Sequence, residues 1–244
     1  MKKTRRVESG AFDVGTVNVT RVHLPDGLVH RLRQAARRDG VTVGDVFTAA
    51  SAEACARYGP NSPTPARPDL ALGTIVDLRA RAARVPPNVF GLFLGFTTGW
   101  FTHRYLYDFS KLLRAAAAQR RTSVRRQSAE ASQFNLLIGL IIARAMGAKK
   151  MVEFYRKRFP LAGGISNVNL THTWPGDIHP HVITGYTRTS PTGPMMPLVL
   201  TPTTLGDRLS LCCTYRTALI EPARVQDMIG SFESRLIRFA GQAF

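Results

Sequence analysis

Residues able to do chemistry are few and scattered in this chain. The six histidines, at 23, 30, 103, 172, 179 and 181, include no adjacent pair. The closest two, in His179-Pro180-His181, would turn their rings to one side of an extended segment, as some metal sites do, yet only Asp177 accompanies them and a polar surface turn is the simpler reading. Cys212 and Cys213 are neighbours in a strand-like run, so at most one can line a cleft; packing is the expected use for both. The sequence contains no Gly-x-x-x-x-Gly-Lys loop, Gly-x-Gly-x-x-Gly turn, Gly-x-Ser-x-Gly elbow or Cys-x-x-Cys pair. What remains is a set of polar residues on predicted strands. Asp77 and Arg79 are two apart and share a face, so they can pair or shape a cleft; Ser166 and Asn167 project to opposite faces, so only one of them can face it.

The charge is the second signal. Of 244 residues, 33 are Lys or Arg and 16 Asp or Glu, a formal net charge of +17. Between positions 109 and 158, Lys111, Arg114, Arg120, Arg121, Arg125, Arg126, Arg144, Lys149, Lys150, Arg156, Lys157 and Arg158 face only Glu130 and Glu153, so more than half the excess sits in one block. Such a block suits phosphates or an acidic protein surface, or is simply a solvated face. Nucleic acid is the weaker expectation, because no helix-turn-helix, zinc-finger or RNA-recognition signature accompanies the charge. Three cysteines cannot build a disulfide framework, and the basic start Met1–Arg6 is followed by Val7-Glu8-Ser9-Gly10 rather than an apolar run; both favour a cytoplasmic protein. The most apolar stretches, 89–101 and 134–145, fall short of the roughly 18 residues that span a bilayer, so no transmembrane segment is expected.

The elements that must position these residues alternate between helix and strand periods. Residues 1–16 are expected to form a basic flexible tail, and residues 17–244 one domain. A strand around Val17–Leu24 precedes a helix opened by Pro25-Asp26, with Leu28, Leu32, Ala35 and Ala36 on one stripe and Gly40 at its end. Thr42 and Asp45 form a capping pair before the stripe Val46, Phe47, Ala50 and Ala54. Strands are expected at 70–79 and 93–100, the second apolar on both faces and therefore covered on both. A helical block from Asp108 to about Arg158 breaks near 128–133 and again near Gly147. Strands are then expected at 165–170, 182–188, 195–201 and 209–215, before a closing helix with Pro222 in its first turn and Val225, Met228, Ile229, Phe232 and Leu236 on one face. The sum is a single α/β (α+β) domain, a mixed sheet flanked by helices.

Several of these pieces, in this order, resemble the C-terminal half of the CoA-dependent acyltransferase superfamily. That group includes condensation domains, wax ester synthase/diacylglycerol acyltransferases, alcohol acetyltransferases and chloramphenicol acetyltransferase. The segment Thr42-Val43-Gly44-Asp45-Val46-Phe47-Thr48-Ala49-Ala50 is similar to the wax-synthase Asn-Asp-Val-Val-Leu-Ala motif, with Gly44 in place of the asparagine. Ile75-Val76-Asp77-Leu78-Arg79 with Pro86-Pro87-Asn88-Val89-Phe90-Gly91 resembles the Val-Asp-Leu-Arg and Gly-Asn strand and loop, and Ile165-Ser166-Asn167-Val168 the Ser-Asn strand. The match covers about residues 17–240 and implies one chloramphenicol-acetyltransferase-like lobe of two, with a substrate tunnel between them.

The resemblance implies transfer of an acyl group from a CoA or carrier-protein thioester, the co-substrate, to a hydroxyl or amine, with no further cofactor. The family's base lies in a His-His-x-x-x-Asp motif of the N-terminal lobe, which this sequence lacks. It follows that no catalytic base is expected here, and that a partner is: an N-terminal lobe, or a second copy in a homo-oligomer. Ser166, Asn167, Asp77, Arg79 and Trp100 are the expected substrate-binding residues. Arg120, Arg121 and Arg125 are those expected to attract acyl-CoA or an acyl carrier protein. The alternative is a catalytically inactive remnant serving as a basic binding module.

Overall fold

The protein is described from a computed structural model, which covers residues 4–7, 16–79, 93–147, 150, 153–154, 161–171, 186–193 and 196–241. The local signals hold closely. β1 (Val17–His23) leads to α1 (Leu28–Arg38), whose Leu28, Leu32, Ala35 and Ala36 stripe is buried. Gly27, not Pro25-Asp26, opens α1, in a left-handed conformation with φ 73°. At the other end Gly40, φ 65°, donates to Arg37 O while Val41 N donates to Ala36 O, the paired bonds that close a helix when a glycine can adopt that conformation. In α2 (Val43–Tyr58), Thr42 Oγ1 accepts from Asp45 N at 3.1 Å and Asp45 Oδ2 accepts from Thr42 N at 2.9 Å, so the helix begins with both orphan donors satisfied.

α2 departs from its one-sided stripe. Ala49, Ala52, Glu53 and Cys55 are buried along with Val46, Phe47 and Ala50, because the helix is enclosed by α3 (Phe109–Arg125), by the closing helix and by the sheet. Alanine on its other faces lets neighbours approach without presenting an apolar stripe to a reader of the sequence.

The sheet is mixed and seven-stranded, in the order β1-β7-β6-β4-β2-β3, with β5 beside β6. β2 (Leu70–Asp77), β4 (Gly163–Ile165), β5 (Val168–Asn169) and β6 (Leu198–Leu205) run parallel; β3 (Leu94–Phe101), β7 (Arg208–Arg216) and β1 pair antiparallel at the flanks. β6 and β7 are joined by Gly206-Asp207, with Gly206 at φ 62° as a two-residue hairpin requires. One face, carrying Leu72, Ile165, Leu200, Leu211, Cys213 and Tyr215, builds the core with α1, α2, α3 and the closing helix α5 (Pro222–Gly241). Pro222 occupies the first position of α5 and all five residues of its expected stripe are buried. Burying each such side chain stabilises the fold by about 2 kcal/mol.

Other expectations need correction. β3 is not covered on both faces: it is the sheet's edge, and most of its residues are only half-buried. The helical block breaks earlier, at Arg126-Gln127, where Gln127 takes φ 48°, and α4 (Ser128–Met146) runs unbroken through 128–133. α4 exposes Phe134 (72%), Leu137 (57%) and Ile141 (65%), so this apolar run is surface and not core. Arg5, expected in a mobile tail, is buried, with its guanidinium donating to Ala56 O at 3.0 Å and Pro68 O at 3.1 Å. Of the strand expected at 182–188, residues 182–185 lie outside the described residues and 186–188 are not in a strand. The 195–201 strand begins later, at Leu198, and runs on to Leu205. His179-Pro180-His181 and the 86–91 loop also lie outside the described residues. Among the described residues no helix is long and apolar enough to cross a membrane, and no group of three His, Cys, Asp or Glu is placed to hold a metal ion.

Candidate functional site

The carboxyl ends of parallel strands are where open α/β sheets bind ligands, because the strands stop there and leave a crevice. Here that end gathers Asp77, the last residue of β2, and Ser166-Asn167, which join β4 to β5. Ser166 continues the β4 ladder by donating its N–H to Leu200 O at 2.9 Å. As alternation demands, its two neighbouring side chains part company: Ser166 is buried, Asn167 exposed.

Ser166 is held by a residue that the sequence did not single out. Arg188 Nη2 donates to Ser166 O at 2.7 Å and to Ser166 Oγ at 3.0 Å. Burial pushes the Arg188 guanidinium below its ordinary pKa, while Tyr186 and Asp77 pull it back up. The Ser166 hydroxyl accepts from a cation and keeps its own proton to donate, a combination that suits a developing oxyanion. An isolated arginine after a strand-like run carries no spacing signal, which is why Arg188 was not legible.

Asn167 turns to the helix layer. Its Nδ2 lies 3.5 Å from the position that a Cβ would take on Gly44, in the first turn of α2. The same turn is gripped from α3: Arg120 Nε donates to Asp45 Oδ1 at 2.8 Å and Oδ2 at 3.0 Å. Arg120, expected to attract an acyl donor, thus has an intramolecular partner, whereas Arg121 and Arg125 stand exposed on α3.

The remaining expected residues divide. Asp77 accepts from the backbone N–H of Arg79 at 2.9 Å, while the Arg79 guanidinium sits 5.1 Å from the centroid of Phe93. Trp100 pairs with Ala71, at the opposite end of β2 from Asp77; the aromatic level with Ile75, and so nearest Ser166 along the sheet, is Phe96. Trp100 is instead clasped through its backbone, its N–H donating to Gln119 Oε1 at 2.6 Å and its carbonyl accepting from Gln119 Nε2 at 2.8 Å. The structure therefore brings Ser166, Arg188 and Asp77 to one end of the sheet, puts Asn167 and Arg120 at the adjoining helix turn, and leaves Trp100 apart.

No protein-family profile matches the sequence, and no curated protein matches it. Solved structures do. A nonribosomal peptide synthetase, FmoA3, in its α-methyl-L-serine-AMP-bound form superposes with a TM-score of 0.66 at 16% identity, over 98% of this chain and 24% of that one. The structure titled for condensation domain-mediated chain release from the enacyloxin polyketide synthase gives 0.58 at 16% identity, over 93% and 41%. PapA2 acyl transferase gives 0.60 at 14% identity, over 96% and 47%. The chain spans less than half the length of each of these. Its mixed sheet flanked by helices is the fold of a lobe found in condensation-domain and acyltransferase structures.

Proposed function

We propose that the chain is the C-terminal-type lobe of an acyl-transfer enzyme, moving an acyl group from a CoA or carrier-protein thioester to a hydroxyl or amine. The observation that carries this reading is Ser166, a buried hydroxyl at the carboxyl end of the parallel strands that accepts from Arg188 and retains its proton. In the reaction, the acceptor gives its proton to a base, its oxygen or nitrogen bonds to the thioester carbon, and the C–S bond breaks as the thiolate recovers the proton. Ser166 would donate to the carbonyl oxygen while it carries negative charge. The base would come from a His-His-x-x-x-Asp lobe outside these 244 residues, and the exposed apolar residues of α4 supply a surface that a second lobe or subunit would cover.

Co-expression with the polypeptide encoded next to it, where that carries His-His-x-x-x-Asp, tests the proposal. Acyl transfer from an acyl-CoA or acyl carrier protein is expected from the pair and not from this chain alone, and Ser166→Ala should slow it by roughly 10²-fold. Full activity in the Ser166→Ala pair would remove Ser166 from the reaction. The second reading, a non-catalytic binding module, is favoured by the absence of any adjacent histidine pair; it stands if donor binding persists and no pairing yields turnover.

A further inference from the structure

The sheet face opposite the core is polar. Ladder register places Thr201 opposite Cys212, Thr203 opposite Ser210 and Thr214 opposite Val199, while the Ser166 N–H bond to Leu200 O sets Ser166 beside Thr201. Four of these hydroxyl-bearing residues are almost wholly buried: Thr201 (1% exposed), Thr203 (2%), Thr214 (3%) and Ser166 (2%). Ser210 Oγ donates to Tyr186 O at 3.0 Å, and Ser166 Oγ accepts from Arg188, so the segment 186–188 crosses above this floor. Among the described residues the hydroxyls of Thr201, Thr203 and Thr214 have no hydrogen-bond partner, nor has Nε of Arg188, although all four atoms are buried.

Each such orphan costs about 1–3 kcal/mol, and natural folds contain few. Thr201, beside Ser166, and Thr203, two positions along the same face, lie under the segment that carries Arg188, and these three orphans amount to a site rather than an accident; Thr214, level with Val199, is four ladder positions from Thr203 and stands apart. Its chemistry is one-sided. Arg188 Nε–H can only donate and carries positive charge, the threonine hydroxyls can rotate to donate, and Ser166 has its proton free. Asp77 lies within reach of the Arg188 charge, but it is exposed and its Oδ1 is occupied by the Arg79 N–H, so it does not use the orphan donors. Convergent donors around a guanidinium recognise an oxyanion.

We infer that Arg188, Ser166, Thr201 and Thr203 form a binding site for a carboxylate or phosphate group. The site shares Ser166 with the proposed acyl transfer, but the unpartnered atoms that argue for it are there whether or not the chain has a catalytic partner. The test titrates the intact chain with sodium phosphate and, separately, sodium acetate at ionic strength held constant with sodium chloride, read by calorimetry and by the arginine Nε–H resonances. Saturable binding is expected for at least one anion, with one Nε–H resonance moving. Phosphate alone would identify a phosphate-bearing ligand and acetate alone a carboxylate. Arg188→Gln should weaken binding by at least about tenfold, the loss of one charge-assisted contact. Should that variant fold poorly, the double variant Thr201→Val/Thr203→Val keeps the side-chain shape and removes two orphans; it should be more stable than the parent in anion-free buffer and bind several-fold more weakly. No saturable binding by either anion, or affinity unchanged in the variant that folds, overturns the inference.

Discussion

Arg120 on α3 grips both carboxylate oxygens of Asp45, 75 residues earlier, at 2.8 and 3.0 Å. The same carboxylate accepts from the Thr42 N–H at 2.9 Å and from Thr42 Oγ1 at 2.8 Å. One buried side chain thus starts α2 and ties it to α3, so the basic helix is anchored through an arginine while Arg121 and Arg125 stand exposed. This separates structure from charge within a block that reads uniformly basic in sequence.

The separation is measurable. Asp45→Ala removes the cap and strands the Arg120 guanidinium, and should cost about 2–3 kcal/mol in urea unfolding. Arg120→Gln, at a side chain 41% exposed and screened by solvent, should cost about 1 kcal/mol. Arg121→Glu/Arg125→Glu touches no such partner and should stay within about 0.5 kcal/mol of the parent. If these two arginines attract the acyl donor, that double variant should lose affinity for acyl-CoA or acyl carrier protein and flatten its salt dependence. Unchanged affinity and salt slope would remove α3 from donor binding.

Glu53 carries the acid sensitivity of the helix layer. Burial raises its carboxyl pKa, but the two bonds from Arg235, at 2.6 and 2.7 Å, and the contact from Arg57 outweigh it, so the folded value lies below the ordinary 4.5. A depressed acid stabilises the fold above its unfolded pKa, and that contribution is lost as pH falls below 4.5 and through the folded value. Glu53→Gln should therefore cost about 2 kcal/mol near pH 7 and remove this part of the acid loss. Denaturation curves of equal steepness between pH 5 and pH 3 in both proteins would contradict this.

How much of this was legible depends on sequence distance. The Thr42–Asp45 box, the Gly40 cap and Pro222 at the start of α5 follow from residues within a few positions of one another, and all are where local chemistry puts them. Arg188 reaching Ser166 across 22 positions, and Arg5 reaching Ala56 across 51, depend on the finished topology and leave no periodic trace. Asp77 and Ser166 were legible as polar residues on strands; that both fall at the carboxyl end of the parallel set required the strand order. That Trp100 lies apart from them has the same cause, since its level on β3 is fixed by pairing with Ala71.

The cysteines test the core. Burial pushes the Cys55 thiol up to about 12, and Cys213 is raised by burial and by its sulfur neighbours. Cys212, on the polar face, is raised by burial and only partly offset by Arg21. Since the thiolate is the reactive form, none of the three should react with a disulfide reagent at pH 8 in the native protein, and all three should on unfolding. A fast-reacting native thiol would show that the polar face opens to solvent.

Gln119 makes the sharpest structural prediction. β3 is an edge strand, and an edge with free N–H and C=O groups pairs with other chains unless something blocks it. Gln119 occupies both outward backbone groups of Trp100, and Ser132 Oγ accepts from Phe96 N at 2.7 Å, so α3 and α4 close the edge with side chains in place of a further strand. Gln119→Ala uncovers a donor and an acceptor at once. It should cost about 1–2 kcal/mol and, unlike an ordinary surface change, raise concentration-dependent association seen in sedimentation. Gln119→Glu keeps the acceptor for the Trp100 N–H but sets a carboxylate against its carbonyl; it should destabilise the monomer while the charge resists association. If both variants sediment as the parent does at every concentration, the amide clasp is not what protects this edge.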